Sequence, residues 1–432
     1  MGIYQSNASF SFSLLVFVLV SSVWAKRTDD RTGDNDTGLV WQDLVLSTPD
    51  GKHVLVHPFS GKVPAGTLCG ILGPSGAGKS SFLSALAGLS SLSMEGQVYT
   101  YHPPADDAEK HPIYQRIPTH QVAWLQQHDD FFTMLTVEET LDLAAFLELP
   151  HLPLTKRQGL VQTQLQRLGL AKVANRRIGD ASLLSSERIS GGERRRLAVA
   201  LELLTEKQLL LADEATSGLD SNMSHKVVHL IRQVVQDRNI PALLILHQPR
   251  SSIWKLLDYV IVMAAGGHVC YFGPRQDCLP YFRNLGYLCP SETNPAEFLM
   301  DLISAETSDD QSRVDGIIQA FAQGQRITVV DPYSAVRRDT VTTKEASSKG
   351  PLYLLRRFGA LLRRSWRQNI RNTYIHVFRL LASALNAVLL AAIFPSVAPG
   401  KPPTAASVAD RVALLSFGAI NMCFVAFMKV SV

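Results

Sequence analysis

The sequence predicts an α/β domain with a largely parallel sheet, followed by an all-α segment suited to a membrane. Three observations carry this reading. Between residues 39 and 304, short apolar runs bounded by turn residues alternate with helical stretches, the pattern of strands joined by crossover helices. Residues 73–80, GPSGAGKS, link one such strand to one such helix. Residues 374–394, YIHVFRLLASALNAVLLAAIF, are apolar on every face over 21 positions. At about 1.5 Å per residue that stretch matches a hydrocarbon core of roughly 30 Å.

The elements follow in chain order. Residues 1–38 form a hydrophobic segment and polar linker whose apolar run, FSFSLLVFVLVSSVW, covers 10–24. It reads as a signal-peptide core, as an uncleaved anchor, or as an aberrant gene start; Lys26, Arg27 and Arg31 after it, with no charge before it, favour an anchor whose C-terminal side is cytosolic. TLCGIL (67–72) is a strand that feeds the glycine loop, and KSSFLSALAGL (79–89) is the helix that leaves it. KQLLLAD (207–213) and PALLILH (241–247) are buried strands with a helix over 221–237 between them. Residues 305–350 are polar and poor in aromatics and read as a linker, helical around 314–322. Residues 351–372 form a basic amphipathic helix, 374–394 a first membrane span, and 412–428 a partial or full second one.

Arg356, Arg357, Arg363, Arg364, Arg367 and Arg371 precede the first span, whereas only Lys401 and Arg411 follow it in the Pro-rich loop. The excess of positive charge assigns residues up to 373 to the cytosolic side and brings the basic helix to lipid headgroups. The whole chain of 432 residues is nearly balanced, 42 Lys+Arg against 38 Asp+Glu, and a net charge of +4 gives no footprint for nucleic acid. The five cysteines are scattered, without a CxxC pair, which fits a reducing compartment and argues against a zinc site or a disulfide framework.

The chemistry sits in four short stretches. In GPSGAGKS, Gly73, Pro74, Ser75, Gly76, Ala77 and Gly78 form a loop whose backbone N–H groups can close on phosphate, with Lys79, Ser80 and Ser81 opening the helix. Lys79 adds a positive charge at the β- and γ-phosphates, and Ser80 offers a hydroxyl to Mg²⁺. LLLADEAT (209–216) ends an apolar strand in two acids: Asp213 suits Mg²⁺ and Glu214 suits the attacking water, two tasks that phosphoryl transfer gives to separate carboxylates. His247, at the end of the next strand, is placed to bond the γ-phosphate or orient the water. Gln126 and Gln127 follow another strand, and either amide can reach Mg²⁺ or water. In ISGGERRR (189–196), Ser190 and Glu193 form an S-x-x-E capping box. A cap does not require Gly191 and Gly192, so this second helix start reads as an anion contact, and its own chain already has a phosphate loop. A nucleotide held by a facing subunit is the economical ligand.

GPSGAGKS, ISGGERRR, LLLADEATSGLD and the His of LILHQPR, in this order, resemble the P-loop nucleotide-binding domain of an ATP-binding cassette (ABC) transporter. With the nucleotide domain ahead of the membrane segment, HQPR and the FGP…YF…LGY…NPAEFLMDLIS run (272–303) resemble subfamily G, the white-type half-transporters. The resemblance implies an ATPase using ATP and Mg²⁺, a homodimer or a heterodimer with another half-transporter, membrane lipids around it, and export of a small lipophilic substrate. It implies an integral multi-pass membrane protein with a cytosolic nucleotide domain. It singles out Gln127 over Gln126 and makes Asp220, in SGLD, the acid of the loop at the dimer interface. The family's adenine-stacking aromatic has no match near Thr48, and Trp41 lies too early. The family has six spans, whereas this chain ends at Val432, so a truncated product, a fragment or an aberrant gene model is expected. Two other readings stay open: a non-transporting or regulatory half-transporter, and a soluble ABC ATPase, which would have no use for residues 374–394.

Overall fold

The computed structural model describes residues 38–102, 113–115, 117–127, 130–150, 152–179, 188–305, 307–324, 351–371, 373–393 and 408–416 except 410 and 414. The hydrophobic run over 10–24 and nearly all of the second expected span lie outside these residues. The chain divides into two units between Tyr353 and Leu354.

In the first unit, β1 (Gly38–Ser47) and β2 (Val54–Pro64) precede β3 (Leu68–Leu72) and α1 (Lys79–Leu86). β4 (Ser93–His102), β5 (Ile113–Gln115) and β6 (Val122–Leu125) lead to α2 (Val137–Glu148), α3 (Leu154–Arg167) and α4 (Gly191–Glu202). β7 (Leu209–Ala212), α5 (Ser221–Arg238), β8 (Ala242–Ile245), α6 (Ser251–Trp254), β9 (Tyr259–Met263) and β10 (Val269–Pro274) follow, then α7 (Arg275–Asn284), α8 (Pro295–Ile303) and α9 (Ser308–Gly324).

The central sheet has the order β10-β9-β3-β8-β7-β6, parallel except for the β9–β10 hairpin. Its strands are buried on both faces, as a parallel sheet requires. Leu68, Leu72, Leu210, Ala212, Ala242 and Leu244 face one apolar cluster, which includes Leu141, Leu165, Leu197 and Ile231 of the surrounding helices. The alternate residues Cys69, Ile71, Leu209, Leu211, Leu243 and Ile245 face a second cluster with Phe82 and Leu83 of α1. This period of two is the pleat itself. The second cluster is closed by a separate antiparallel sheet, order β2-β1-β4-β5, which supplies Leu39, Trp41, Leu44, Val56 and Phe59. Trp41 is fully buried against Phe59, Phe82 and Phe272, which removes it as an adenine-stacking residue.

The expected strand and helix positions over 67–89 and 207–247 hold to within three residues at each end. The segment read as a linker behaves differently. α9 is a 17-residue helix that includes and extends the helical stretch expected around 314–322. Val314 and Ile317 sit in the same core cluster as the central sheet, and Phe321 packs against the second cluster, so packing continues to Phe321 rather than stopping at residue 304. Val314, Ile317, Ile318 and Phe321, at helical spacing, seat a helix whose other positions are mostly polar.

In the second unit, α10 (Pro351–Arg371) enters from its first turn, and α11 (Thr373–Ile393) follows it. The expected elements at 351–372 and 374–394 are thus both present as helices. On α10, Leu355, Phe358, Leu362, Trp366 and Ile370 are exposed. On α11, Leu380, Leu381, Leu385 and Val388 are exposed too. Among the described residues no helix is long and apolar enough to cross a membrane.

The described cysteines, Cys69, Cys270, Cys278 and Cys289, are free. Burial holds the thiols of Cys69, Cys270 and Cys278 well above their ordinary range, that of Cys270 at about 12, so they pack as small apolar groups.

Candidate nucleotide site

Pairing of β3 with β8, β8 with β7 and β7 with β6 is parallel and in register. The loops leaving their C-terminal ends therefore collect along one edge of the sheet, where open α/β folds bind ligands. Those four loops carry Gly73–Ser80, His247, Asp213–Glu214 and Gln126–Gln127.

The glycine loop is shaped by close backbone approach. A Cβ on Gly73 would fall 2.4 Å from the carbonyl of Met263, and one on Gly78 would fall 2.5 Å from that of Leu55. Gly78 also has φ of 79°, a conformation that favours glycine. It is the N-cap of α1 and makes no side-chain capping bond, which leaves that helix start free to receive an anion. Lys79 is 7% exposed, and its Nζ donates to the carbonyls of Gly73 at 2.8 Å and Pro74 at 2.7 Å. Burial lowers its pKa, against the opposing pull of Glu214 and Asp213. Ala77 is buried within the loop, whereas Ser75, Gly76 and Ser80 are exposed at its mouth and Pro74 and Ser81 are half-buried.

The Ser80 hydroxyl donates to Asp213 Oδ1 at 3.2 Å. Burial raises the Asp213 carboxyl, the Ser80 bond lowers it, and the neighbouring Glu214 charge adds to the rise. One hydroxyl and one carboxylate beside a phosphate loop are the oxygen donors that suit a hard cation such as Mg²⁺. No group of three or more His, Cys, Asp or Glu suited to a metal occurs among the described residues, so such a cation would complete its shell from phosphate and water.

Glu214 takes φ of 51° just past β7, and Gln248 takes φ of 38° just past His247. Left-handed backbone at two non-glycine residues is strained and marks sites whose side chains must point a particular way. The Gln127 amide donates to Glu214 Oε2 at 2.6 Å, and His247 Nε2 lies 2.6 Å from Glu214 Oε1. Burial pushes the Glu214 carboxyl up, but the bonds and charge of His247, with bonds from Gln127 and Ser217, outweigh it and leave it below its ordinary value. Each carboxylate oxygen keeps a further lone pair. The structure thus brings Gln127, Glu214 and His247 into one hydrogen-bonded set, and Gln126 contributes its carbonyl elsewhere.

Ser190 caps α4. Its Oγ accepts from Glu193 N at 3.2 Å, and its own N–H donates to Glu193 Oε2 at 2.7 Å, completing the expected box. The two glycines differ from the expectation that both admit a ligand. Gly191 is exposed, but Gly192 is buried, and a Cβ there would fall 2.2 Å from Met223 Cε. Packing against α5 is what demands the second glycine. Asp220 is the N-cap of α5 and accepts from the N–H groups of Asn222 and Met223, both at 3.0 Å. An open cavity of 440 Å³ runs between Gln127 and Phe131 on one side and Gly191, Ser217 and Gly218 on the other.

The sequence reasoning passed over Arg195, which is 5% exposed and bonded to the backbone beside Gln127 and Glu214. On α4 it lies three residues past Gly192 and four before Val199, both buried, and nothing in the sequence alone sets it apart from Arg194 and Arg196.

A parallel sheet with a phosphate-type loop after one strand and an acid pair after another defines a P-loop nucleoside-triphosphate-binding domain. Two family models match the chain: one described as ABC transporter, over residues 56–217, and one as ABC-2 type transporter, over 247–315. ABC transporter G family member 7 of Arabidopsis thaliana is 33% identical over 424 residues, covering 93% of this chain and 56% of that protein. Protein white of Drosophila melanogaster is 30% identical over 381 residues, 83% of this chain and 54% of that protein. Protein white of Ceratitis capitata is 31% identical over 352 residues, 79% and 50%. The chain carries an ABC transporter domain and an ABC-2 type domain, and its relatives are G-type and white-like ABC transporters. It spans about half the length of these relatives.

Proposed function

We propose that this chain is the ATP-binding and ATP-hydrolysing part of a membrane exporter half, which pairs as a homodimer or heterodimer and drives a lipophilic small molecule across a membrane. The observation that carries this reading is the Gln127–Glu214–His247 set beside the Ser80–Asp213 contact, at the mouth of the loop that holds Lys79. ATP would lie on the loop Gly73–Ser81, its β- and γ-phosphates next to Lys79. Mg²⁺, held by Ser80 and Asp213 with Gln127 in reach, would neutralise phosphate charge. Glu214 would accept a hydrogen bond from the attacking water and take its proton as the water oxygen bonds to the γ-phosphorus and the bond from that phosphorus to the bridging oxygen breaks, releasing ADP and phosphate. His247 and Gln127 hold the Glu214 carboxylate in place and keep it ionised. Ser190 and Gly191 complete the site of the facing subunit, with Gly192 packed on Met223 behind them, Glu193 as their internal cap and Asp220 holding the intervening loop.

Glu214→Gln tests the assignment of the base. The amide keeps the size and the neighbours but cannot take a proton. Nucleotide affinity should stay within about twofold, while phosphate release falls by at least about 100-fold, the usual range for a lost general base. Turnover at the parent rate in Glu214→Gln would remove the residue from this role.

For the second unit we propose that residues 374–394 enter the bilayer, although α11 alone is not long and apolar enough to cross it, that α10 lies at the headgroups, and that the nucleotide domain is cytosolic. The six-to-two asymmetry of Arg and Lys around residues 374–394 supports this. In sealed vesicles with the cytosolic face outward, added protease should cut the nucleotide domain. Protection of that domain would reverse the topology.

A further inference from the structure

Three consecutive arginines follow the glycine pair at the start of α4, and they do different things. Arg194 lies over the ring of Phe131, 5.5 Å from its centre. Arg196 donates to the carbonyls of Gly192 at 3.3 Å and Leu168 at 3.2 Å. Arg195 points inward and is 5% exposed. Its Nη1 donates to the carbonyl of Gln126 at 2.6 Å, its Nη2 to that of Asp213 at 3.2 Å, and its Nε to that of Ala215 at 3.2 Å.

Those three carbonyls are not arbitrary. Gln126 immediately precedes Gln127. Asp213 and Ala215 flank Glu214, whose φ of 51° needs holding. The planar guanidinium, with its donors in a fixed fork, therefore grips the backbone on both sides of the Gln127–Glu214 hydrogen bond. Its own anchor is α4, whose first residues are Gly191 and Gly192. A helix rises about 1.5 Å per residue, so Arg195 sits about one turn from the helix start and moves with it as a rigid body.

We propose that Arg195 is a positioning residue that ties the helix start at Ser190–Gly192 to the Gln127–Glu214 pair of the same chain. If the Ser190 helix start serves the facing subunit's nucleotide, as in the function proposed above, the two composite sites of a dimer are joined mechanically through this side chain. Nucleotide engaged at one helix start then sets the geometry of hydrolysis at the other site, and the carbonyls that Arg195 grips in turn hold that helix start in place for the facing subunit's nucleotide.

Arg195→Lys is the test, made in the full chain in its membrane-extracted dimer. Lysine keeps a positive charge but has no planar fork that reaches three carbonyls together. With both chains substituted, kcat should fall by at least about tenfold with the KM for ATP within about twofold, and amides of 126–127 and 213–217 should exchange hydrogen faster at unchanged melting temperature. Parent kcat, or a loss confined to melting temperature without faster exchange, would overturn the positioning role. A parent chain that hydrolyses no ATP sinks the proposed function, yet the exchange comparison still decides whether Arg195 fixes this backbone.

A mixed dimer tests the link between sites. One chain carries Lys79→Ala, which disables its own loop, and the other is the parent; the site that remains uses the parent's Glu214 and the first chain's helix start. Adding Arg195→Lys to the Lys79→Ala chain leaves every residue of the parent chain intact. A further drop in turnover of at least about threefold is expected. Equal turnover with and without Arg195→Lys would confine Arg195 to its own site and overturn the link.

Discussion

Two helix starts in this molecule carry glycines at their mouths, and they are finished in opposite ways. At Gly78–Lys79 the helix start has no side-chain cap, and the chain supplies its own cation. The chain also supplies a hydroxyl–carboxylate pair for a metal at this start. At Ser190–Gly191 the capping box is closed by Glu193, and the basic side chains that follow are directed to Phe131 and to backbone carbonyls. The first start has no side-chain cap on its N–H groups. The second is satisfied alone and presents one bare glycine. A helix start already capped by its own side chains can sit on an exposed surface and complete a site for another subunit, whereas one with no side-chain cap leaves its N–H groups open to an anion of its own. That difference is what makes a division into binding start and completing start physically reasonable.

The largest effect should come from the first start. Lys79→Ala removes a charge-assisted contact to phosphate, worth about 1.5–3 kcal/mol, so nucleotide affinity should weaken by roughly 10- to 100-fold, read by titration with a fluorescent ATP analogue. Unchanged affinity would mean the two starts are not divided as argued. Gly191→Asp attacks the second start. It puts a carboxylate where phosphate is to approach, and the Ser190 cap survives. Affinity at Lys79 should hold within about twofold, while phosphate release in the dimer falls by at least about tenfold. Mixing the two variants sharpens the comparison. In a dimer of one Lys79→Ala chain and one Gly191→Asp chain, both defects fall in the same composite site, and the other site keeps measurable turnover. If each chain completed its own site, both sites would be broken and the assembled mixed dimer would be inactive.

Much of this was legible before any coordinates. The phosphate loop, the acid pair and His247 each end an apolar run, and a parallel sheet has to bring the ends of neighbouring runs together. Gln127 was one of two adjacent candidates from the residues alone. The direct Gln127–Glu214 bond separates it from Gln126. The antiparallel sheet of β1, β2, β4 and β5 was not read, because its strands carry bulges such as the one at Asp43, between Gln42 and Val45, which break the period of two. α9 was under-read because two buried residues, Val314 and Ile317, give little apolar signal in a polar segment. Arg195 was invisible as a positioning residue for a different reason. Which of three adjacent arginines faces inward depends on where the helix is seated, and that is fixed by contacts far along the chain.

The smallest prediction separates the two glycines of the second start, which look alike in sequence. Gly191 is exposed, and a Cβ there would lie 3.4 Å from Leu219 Cδ2, an ordinary contact. Gly192 is buried with Met223 Cε 2.2 Å from its would-be Cβ. Both residues open a helix, and an alanine there gains up to about 1 kcal/mol of helix propensity in an interior position and less at the first turn. Gly191→Ala should therefore change stability by no more than about 0.5 kcal/mol. Gly192→Ala must push Met223 aside. Methionine is flexible and can turn away, so the cost is that of mild overpacking, about 1 kcal/mol, or a fall of about 2–4 °C in the melting temperature of a domain this size. The origin of that cost can be checked by its reversal. In a Met223→Ala background the obstructing methyl is gone, and the same Gly192→Ala change should be neutral or slightly stabilising. Denaturant midpoints of the four combinations, parent, each single variant and the double, give the coupling directly. An equal loss with and without Met223 would mean that Gly192 is required for backbone reasons instead, and the two helix starts would then share one glycine logic.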